Sequence, residues 1–241
     1  MSEPGSLIHA LTGRQPARNY HSFVINEVGI AIVSGRMPIG SILPGDAEMM
    51  DRFGVSRTVL REALKTLEAK GLVEARAKVG TRVLPQPRWN LFDRQVLSWM
   101  LDAGPSPAML AAFRTVRQSL EVEAAGQAAL HREGEHMRLL HYWLKQREVM
   151  SQQPEPFAMA EFEIHRVVAE ASGNPFLRAA NALAEFGVAL DVRARIGPDQ
   201  QTPPGGLAPA RAQTYAGLVA AIERGEESAA RRLMQEILAA P

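Results

Sequence analysis

The chain of 241 residues contains no cysteine, so disulfides, thiolate nucleophiles and cysteine-type zinc sites are excluded outright. No apolar run approaches the roughly 20 residues that span a bilayer. The first 30 residues lack the uninterrupted apolar segment and small-residue cleavage site of a signal peptide. A cytoplasmic protein without a membrane partner is therefore expected. No Ser-His-Asp, Walker-type or dinucleotide-binding signature is present, which argues against the common enzyme classes. No repeat of solenoid type occurs either. What remains is an ordinary globular composition, 46% apolar, long enough for two modest domains that each bury a core.

The net charge of +1 hides an asymmetry. Residues 1–88 hold 12 Lys and Arg against 8 Asp and Glu, a balance of +4, whereas residues 89–241 hold 15 against 18, a balance of −3. The excess of positive charge in the first third points to a polyanion partner there.

Residues 1–20, rich in turn formers and without periodicity, read as a mobile tail. From His21 to Ser34 the apolar residues repeat at helical spacing, and Gly35 ends the segment. A turn-rich connector follows from Pro38 to Gly45. A short helix is expected over Asp46–Phe53, then a longer one over Arg57–Lys70, capped by Ser56 and stopped by Gly71. Residues 72–76 and 81–84 read as two short strands joined by a basic turn. This gives a domain of three helices and a hairpin over residues 21–84, with 85–91 as a stiff linker. The remainder, 92–241, reads as helices alone, over about 92–103, 107–131, 135–151, 156–172, 175–195, 208–224 and 226–239. The fold class is thus mainly α, a winged helix-turn-helix followed by a bundle of six to seven helices.

Two short helices joined at Gly54 match the helix-turn-helix arrangement, whose second helix enters the major groove of DNA. Arg57, Arg61 and Lys65 fall at i, i+4 and i+8 on that helix, opposite Leu60, Ala63, Leu64 and Leu67. Arginine's fork fits the O6/N7 acceptor pair of guanine. Ser56 and Thr58 lie at the positive end of the helix dipole, where a phosphate would be met. A basic stripe alone is more often a solvated face. Its place on the second helix, followed by Arg76, Lys78 and Arg82 on the hairpin, turns the balance toward DNA.

The stretches Ser41-Ile-Leu-Pro-Gly-Asp46, Phe53-Gly-Val-Ser-Arg-Thr-Val-Leu-Arg-Glu-Ala-Leu64, Leu67-Glu-Ala-Lys-Gly-Leu-Val73 and Gly80-Thr-Arg-Val83 resemble the GntR family of bacterial regulators. The resemblance implies contacts to operator DNA from Ser56, Arg57, Thr58 and Arg61, with a wing turn at Lys78 to Gly80 in the minor groove. Whether the wing meets bases or backbone stays open. The later segments Arg117-Gln-Ser-Leu-Glu121, His165 followed by Ala171-Ser-Gly-Asn174, and Ala221-Ile-Glu-Arg-Gly-Glu226 resemble the FadR-type C-terminal domain. That resemblance implies a homodimer and a pocket for a small effector, and Trp89-Asn-Leu-Phe-Asp93 suggests the branch that senses sugar acids and related organic acids.

Many such domains hold a divalent metal with an Asp and a His at i, i+4 plus two later histidines. Here Glu161 and His165 keep the first pair, but no histidine follows His165, and alignment puts Tyr215 and Ile237 at the later positions. Isoleucine cannot ligate, and neutral tyrosine ligates poorly. The expectation is an effector site of Arg117, Glu161, His165 and Tyr215 without tight metal, in which Arg117 pairs with an effector carboxylate while His165 and Tyr215 donate hydrogen bonds. Two alternatives stand beside it: a weak metal on Glu161 and His165, completed by waters and effector, and a plain packing contact between the two. The function expected is a repressor that binds an inverted repeat as a dimer. The rival from another class is a metal-dependent enzyme built on the bundle.

Overall fold

In the computed structural model the described residues are 7–8, 19–197 and 201–239. They form α1 (Tyr20–Val33), α2 (Asp46–Phe53), α3 (Arg57–Ala69), β1 (Val73–Arg76), β2 (Gly80–Val83), α4 (Arg94–Ala103), α5 (Pro107–His131), α6 (Gly134–Val149), α7 (Pro154–Ala171), α8 (Pro175–Ala179), α9 (Asn181–Ile196), α10 (Ala212–Arg224) and α11 (Glu227–Ala239). The fold is mainly α with one antiparallel hairpin, as the periodicity predicts. The chain forms two compact units that part between Pro105 and Ser106.

In the first unit, Leu60, Ala63 and Leu67 are fully buried and share a core with Val24, Val28 and Ile32 of α1. Each leucine so buried contributes roughly 1.5–3 kcal/mol relative to exposure. Ser56 caps α3, its hydroxyl accepting from Val59 N–H at 3.4 Å. The Pro38–Gly45 connector does more than turn: Leu43 N–H donates to Thr81 C=O at 2.8 Å and Val83 N–H to Ser41 C=O at 2.9 Å. It thereby covers the free edge of β2.

The unit boundary corrects the expected one. Pro85–Leu91 is no free linker: Gln86–Arg88 forms a single 3₁₀ turn, Trp89 Nε1 donates to Leu84 C=O at 2.9 Å, and Asn90 N–H donates to Lys70 C=O at 2.9 Å. Next, α4 docks on α1 rather than joining the later bundle. Its Trp99 ring lies against Gly29, where any Cβ would collide, and Trp99 Nε1 donates to Asn26 Oδ1 at 2.9 Å. An ion pair from Lys70 to Asp93, at 2.7 Å, fixes the start of α4.

The second unit is a bundle of seven helices among the described residues, α5 to α11. Alanines 124, 125, 128 and 129 let α5 approach its neighbours closely, against Leu218 and Ile222 of α10 and Met234 and Ile237 of α11. The segment expected as one helix over 175–195 is broken at Ala180, so α8 and α9 are separate. The expected tail also needs revision. Residues 1–6 and 9–18 lie outside the described residues, but Leu7 and Ile8 are buried in this unit, and Leu7 N–H donates to Glu185 Oε1 at 2.6 Å. Two adjacent apolar side chains suffice to anchor them.

Candidate functional site

The outward face of α3 carries Arg57, Thr58, Arg61 and Lys65, all exposed, opposite the buried Leu60, Ala63 and Leu67. Local charges leave this stripe largely uncommitted. Arg57 Nε lies 3.9 Å from Asp46 Oδ2, and Lys65 Nζ lies 2.9 Å from Glu62 Oε1. Both pairs are exposed, and such pairs contribute about 0–1 kcal/mol. Arg61 and Thr58 make no hydrogen bond or ion pair among the described residues. A row of guanidinium and ammonium groups one turn apart, free to leave weak partners, suits base edges and phosphates of a duplex.

The hairpin separates into holding and reaching residues. Arg82 Nε donates to Gly40 C=O at 3.1 Å, so this arginine ties the connector to the strand. Arg76 bonds Glu74 Oε2 at 2.9 Å. Lys78 stands exposed at the tip with φ 62°, closed by Val79 N–H donating to Arg76 C=O at 3.1 Å. A non-glycine residue in that conformation costs about 1 kcal/mol or more, so a cation is held at the wing tip at some expense in stability. Gly80, with φ 109°, follows it.

The second constellation is a buried charge network in the bundle. Arg117 on α5 donates through Nε to Glu121 Oε1 at 2.6 Å and through Nη1 to Asp191 Oδ2 of α9 at 3.2 Å. Glu121 Oε2 meets His165 Nδ1 on α7, and His165 Nε2 lies 2.9 Å from the hydroxyl of Tyr215 on α10. Glu161, one turn before His165, is bound instead by two arginines, Arg147 Nε on Oε2 and Arg195 Nη2 on Oε1, each at 3.1 Å. Arg147 is 1% exposed. Its Nη1 and Nη2 reach the carbonyls of Ala208 and Ala210 at 2.9 and 2.7 Å, and its guanidinium lies over the rings of Phe157 and Tyr215.

Burial alone would raise the pKa of Glu121 and Glu161, but the facing charges win. Arg117 and His165 hold Glu121 at about 2, and Arg147 and Arg195 hold Glu161 at about 2. Burial dominates at Tyr215 and pushes its phenol well above its ordinary value, so it stays neutral. Arg117 is raised despite its burial, by Glu121 and Asp191.

Of the four residues expected to meet an effector, Arg117 and His165 line one cavity together, Tyr215 touches it through His165, and Glu161 is turned to Arg147 and Arg195. That cavity amounts to about 20 Å³, room for a water molecule and for no organic acid.

The family model described as "Bacterial regulatory proteins, gntR family" matches residues 21–83, and the model described as "FCD domain" matches residues 113–240. The chain belongs to the GntR family, with an FCD domain. This GntR protein is 35% identical over 159 residues to the uncharacterized HTH-type transcriptional regulator YieP of Escherichia coli, covering 65% of this chain and 69% of that one. It is 31% identical over 155 residues to the galactonate operon transcriptional repressor of Escherichia coli, covering 64% and 68%. It is 32% identical over 180 residues to the transcriptional repressor NanR of Salmonella bongori, covering 73% and 67%. A solved structure of Lar, which controls expression of the Listeria monocytogenes agr system, shares the fold with a TM-score of 0.64 at 16% identity, covering 93% and 95%. The GntR chain is therefore a DNA-binding transcriptional regulator with an effector-binding domain, and the enzyme alternative falls. Among the described residues no helix is long and apolar enough to cross a membrane.

The donors of this GntR protein do not fit the divalent metal that the resemblance implies. Both oxygens of Glu161 accept from arginines, both ring nitrogens of His165 have partners, and Ile237 is packed in the apolar core. Among the described residues, no three His, Asp or Glu side chains group as a ligand set.

Arg147, Arg195, Asp191 and Glu121 were not among the candidates from sequence. A signal for Arg147 exists: with Leu140 and Leu144 it falls at i, i+4, i+7, so an arginine occupies a core-facing position of α6.

The two depressed carboxylates predict acid sensitivity. The unfolded chain, at the ordinary value near 4.5, takes up protons that folded Glu121 and Glu161 refuse until about pH 2. Their contribution is complete above the unfolded value and is lost as pH falls from 4.5 toward 2. Calorimetry should show an FCD-domain melting temperature that is flat from about pH 7 to 5 and drops steeply below about 4.5. A transition unchanged down to about pH 3 would contradict the network.

Proposed function

We propose that this protein is a cytoplasmic repressor that binds an inverted-repeat operator as a homodimer and releases it when a small organic or sugar acid enters the FCD domain. The observation that carries the DNA reading is the exposed stripe of Arg57, Arg61 and Lys65 on α3, with Arg61 unpartnered among the described residues. Two similar proteins are named as repressors, which supports repression as the role. A dimer supplies two copies of α3 about one DNA turn apart, which suits a symmetric site.

In this reading Arg117 is the partner of the effector carboxylate, since a guanidinium forms paired bonds with a carboxylate. Glu121, His165 and Tyr215 act behind it as positioning residues, through the chain of hydrogen bonds that ends on α10. The site works without tight metal, because Arg147 and Arg195 already supply the cations that Glu161 needs.

A mobility-shift titration tests the control. Succinate, citrate and galactonate are added to wild-type protein on DNA selected from a random duplex pool. At least one acid is expected to raise the apparent Kd about tenfold or more, a coupling of roughly 1.4 kcal/mol. Operator binding indifferent to all three at millimolar concentration would contradict acid control.

A further inference from the structure

The outward stripe of α3 does not end at Lys65. Glu68 lies one turn further along the same face and is exposed like the three cations before it. A carboxylate there repels the polyanion that those cations suit. Its side chain reaches the hairpin instead: Glu68 Oε1 accepts from the backbone N–H of Ala75 in β1 at 3.2 Å. The strand register explains why that N–H is available. Ala75 pairs with Thr81, whose C=O points away from β1 and accepts from Leu43 N–H at 2.8 Å. Both residues of such an antiparallel pair direct their backbone polar groups outward, so Ala75 N–H lies on the free edge of β1. The two edges of the hairpin are therefore held by different means, β2 by the Pro38–Gly45 connector and β1, at Ala75, by a carboxylate from α3. A two-stranded hairpin is marginal by itself, and this one carries the strained Lys78 at its tip. The tip is held only as firmly as the strands below it.

We propose that Glu68 is a positioning residue for DNA binding: it ties the wing to α3, so that Lys78 and the α3 cations meet one duplex as a preorganised surface. The inference rests on the reading that α3 and the wing tip both touch DNA, and adds what sets their spacing. Glu68 acts against binding by its charge and for it by its hydrogen bond. Substitution separates the two effects, because glutamine keeps the acceptor oxygen without the charge.

The experiment is a mobility-shift titration of the full-length protein on duplex selected from a random pool. Wild type is compared with Glu68→Gln, Glu68→Ala, Lys78→Ala and the double variant Glu68→Ala with Lys78→Ala. Glu68→Gln should bind as tightly as wild type or more tightly. Glu68→Ala should bind about three- to tenfold more weakly, the loss of one exposed hydrogen bond. Lys78→Ala should cost about fivefold or more in wild type but less than about twofold beside Glu68→Ala, since a loosened wing no longer holds the lysine on the duplex. Melting temperatures should stay close to wild type, because Glu68 is exposed and alanine is the better helix former. That separates lost affinity from lost folding. Equal affinities of Glu68→Ala and Glu68→Gln would overturn the proposal, and so would additive losses in the double variant. In both cases a loss in Lys78→Ala alone leaves the DNA reading of the wing standing. If Lys78→Ala binds like wild type, the wing has no contact to be positioned, and the inference falls together with the reading beneath it.

Discussion

Replacement of Arg147 by alanine is expected to destabilise the FCD domain by about 3–5 kcal/mol, as removal of one partner from a buried ion pair does. Three losses combine. Among the described residues Glu161 keeps only Arg195 as a hydrogen-bonded partner, the carbonyls of Ala208 and Ala210 lose their Arg147 donors, and a gap opens between the rings of Phe157 and Tyr215. For a domain of this size, that corresponds to a fall in melting temperature of roughly 10–17 °C. Arg147→Lys should recover little, because one ammonium cannot reach Glu161 and two carbonyls together. The double variant Arg147→Met with Glu161→Leu should regain much of the loss, since it removes both charges. Calorimetry on the three variants checks this, and an alanine variant melting with wild type would show that the network contributes little.

The same network marks where reading the sequence stopped. The DNA-binding unit was legible because its features are local. Gly54 and Gly71 bracket α3, Ser56 caps it, and the leucine spacing fixes which face is free. Helix ends in the bundle were also legible, from Ser106-Pro107 before α5 and Asn174-Pro175 before α8. The pairing of buried charges was not. Arg147 and Glu161 are 14 residues apart, Arg117 and Asp191 are 74 apart, and nothing local says which carboxylate each guanidinium will meet. Glu161 and His165 share a helix face at metal-like spacing, yet helices α6 and α9 bring arginines to the carboxylate first. The unit boundary was missed for a different reason. Pro85 and Pro87 suggest a spacer, but hydrogen bonds from Trp89, Asn90 and Trp99 bind the segment and α4 to the first unit.

These two kinds of site divide the work by exposure. Arg61 on α3 is open and unpartnered among the described residues, so a duplex gains its full contact without breaking another. Arg117 is buried and already paired with Glu121 and Asp191, so a ligand there competes with existing partners. Exchange is what lets binding alter the arrangement of helices rather than merely add to it.

The measurement that bears most directly on the account is operator affinity of Arg57→Ala, Arg61→Ala and Lys78→Ala, on sites selected from random duplex and on unrelated duplex, at two salt concentrations. Each α3 variant should lose about 1–3 kcal/mol on selected sites, roughly 5- to 150-fold, and much less on unrelated DNA. Lys78→Ala should weaken both kinds of DNA alike and flatten the salt dependence by about one unit of slope. If Arg57→Ala and Arg61→Ala hold selected sites as tightly as wild type does, α3 does not read the operator.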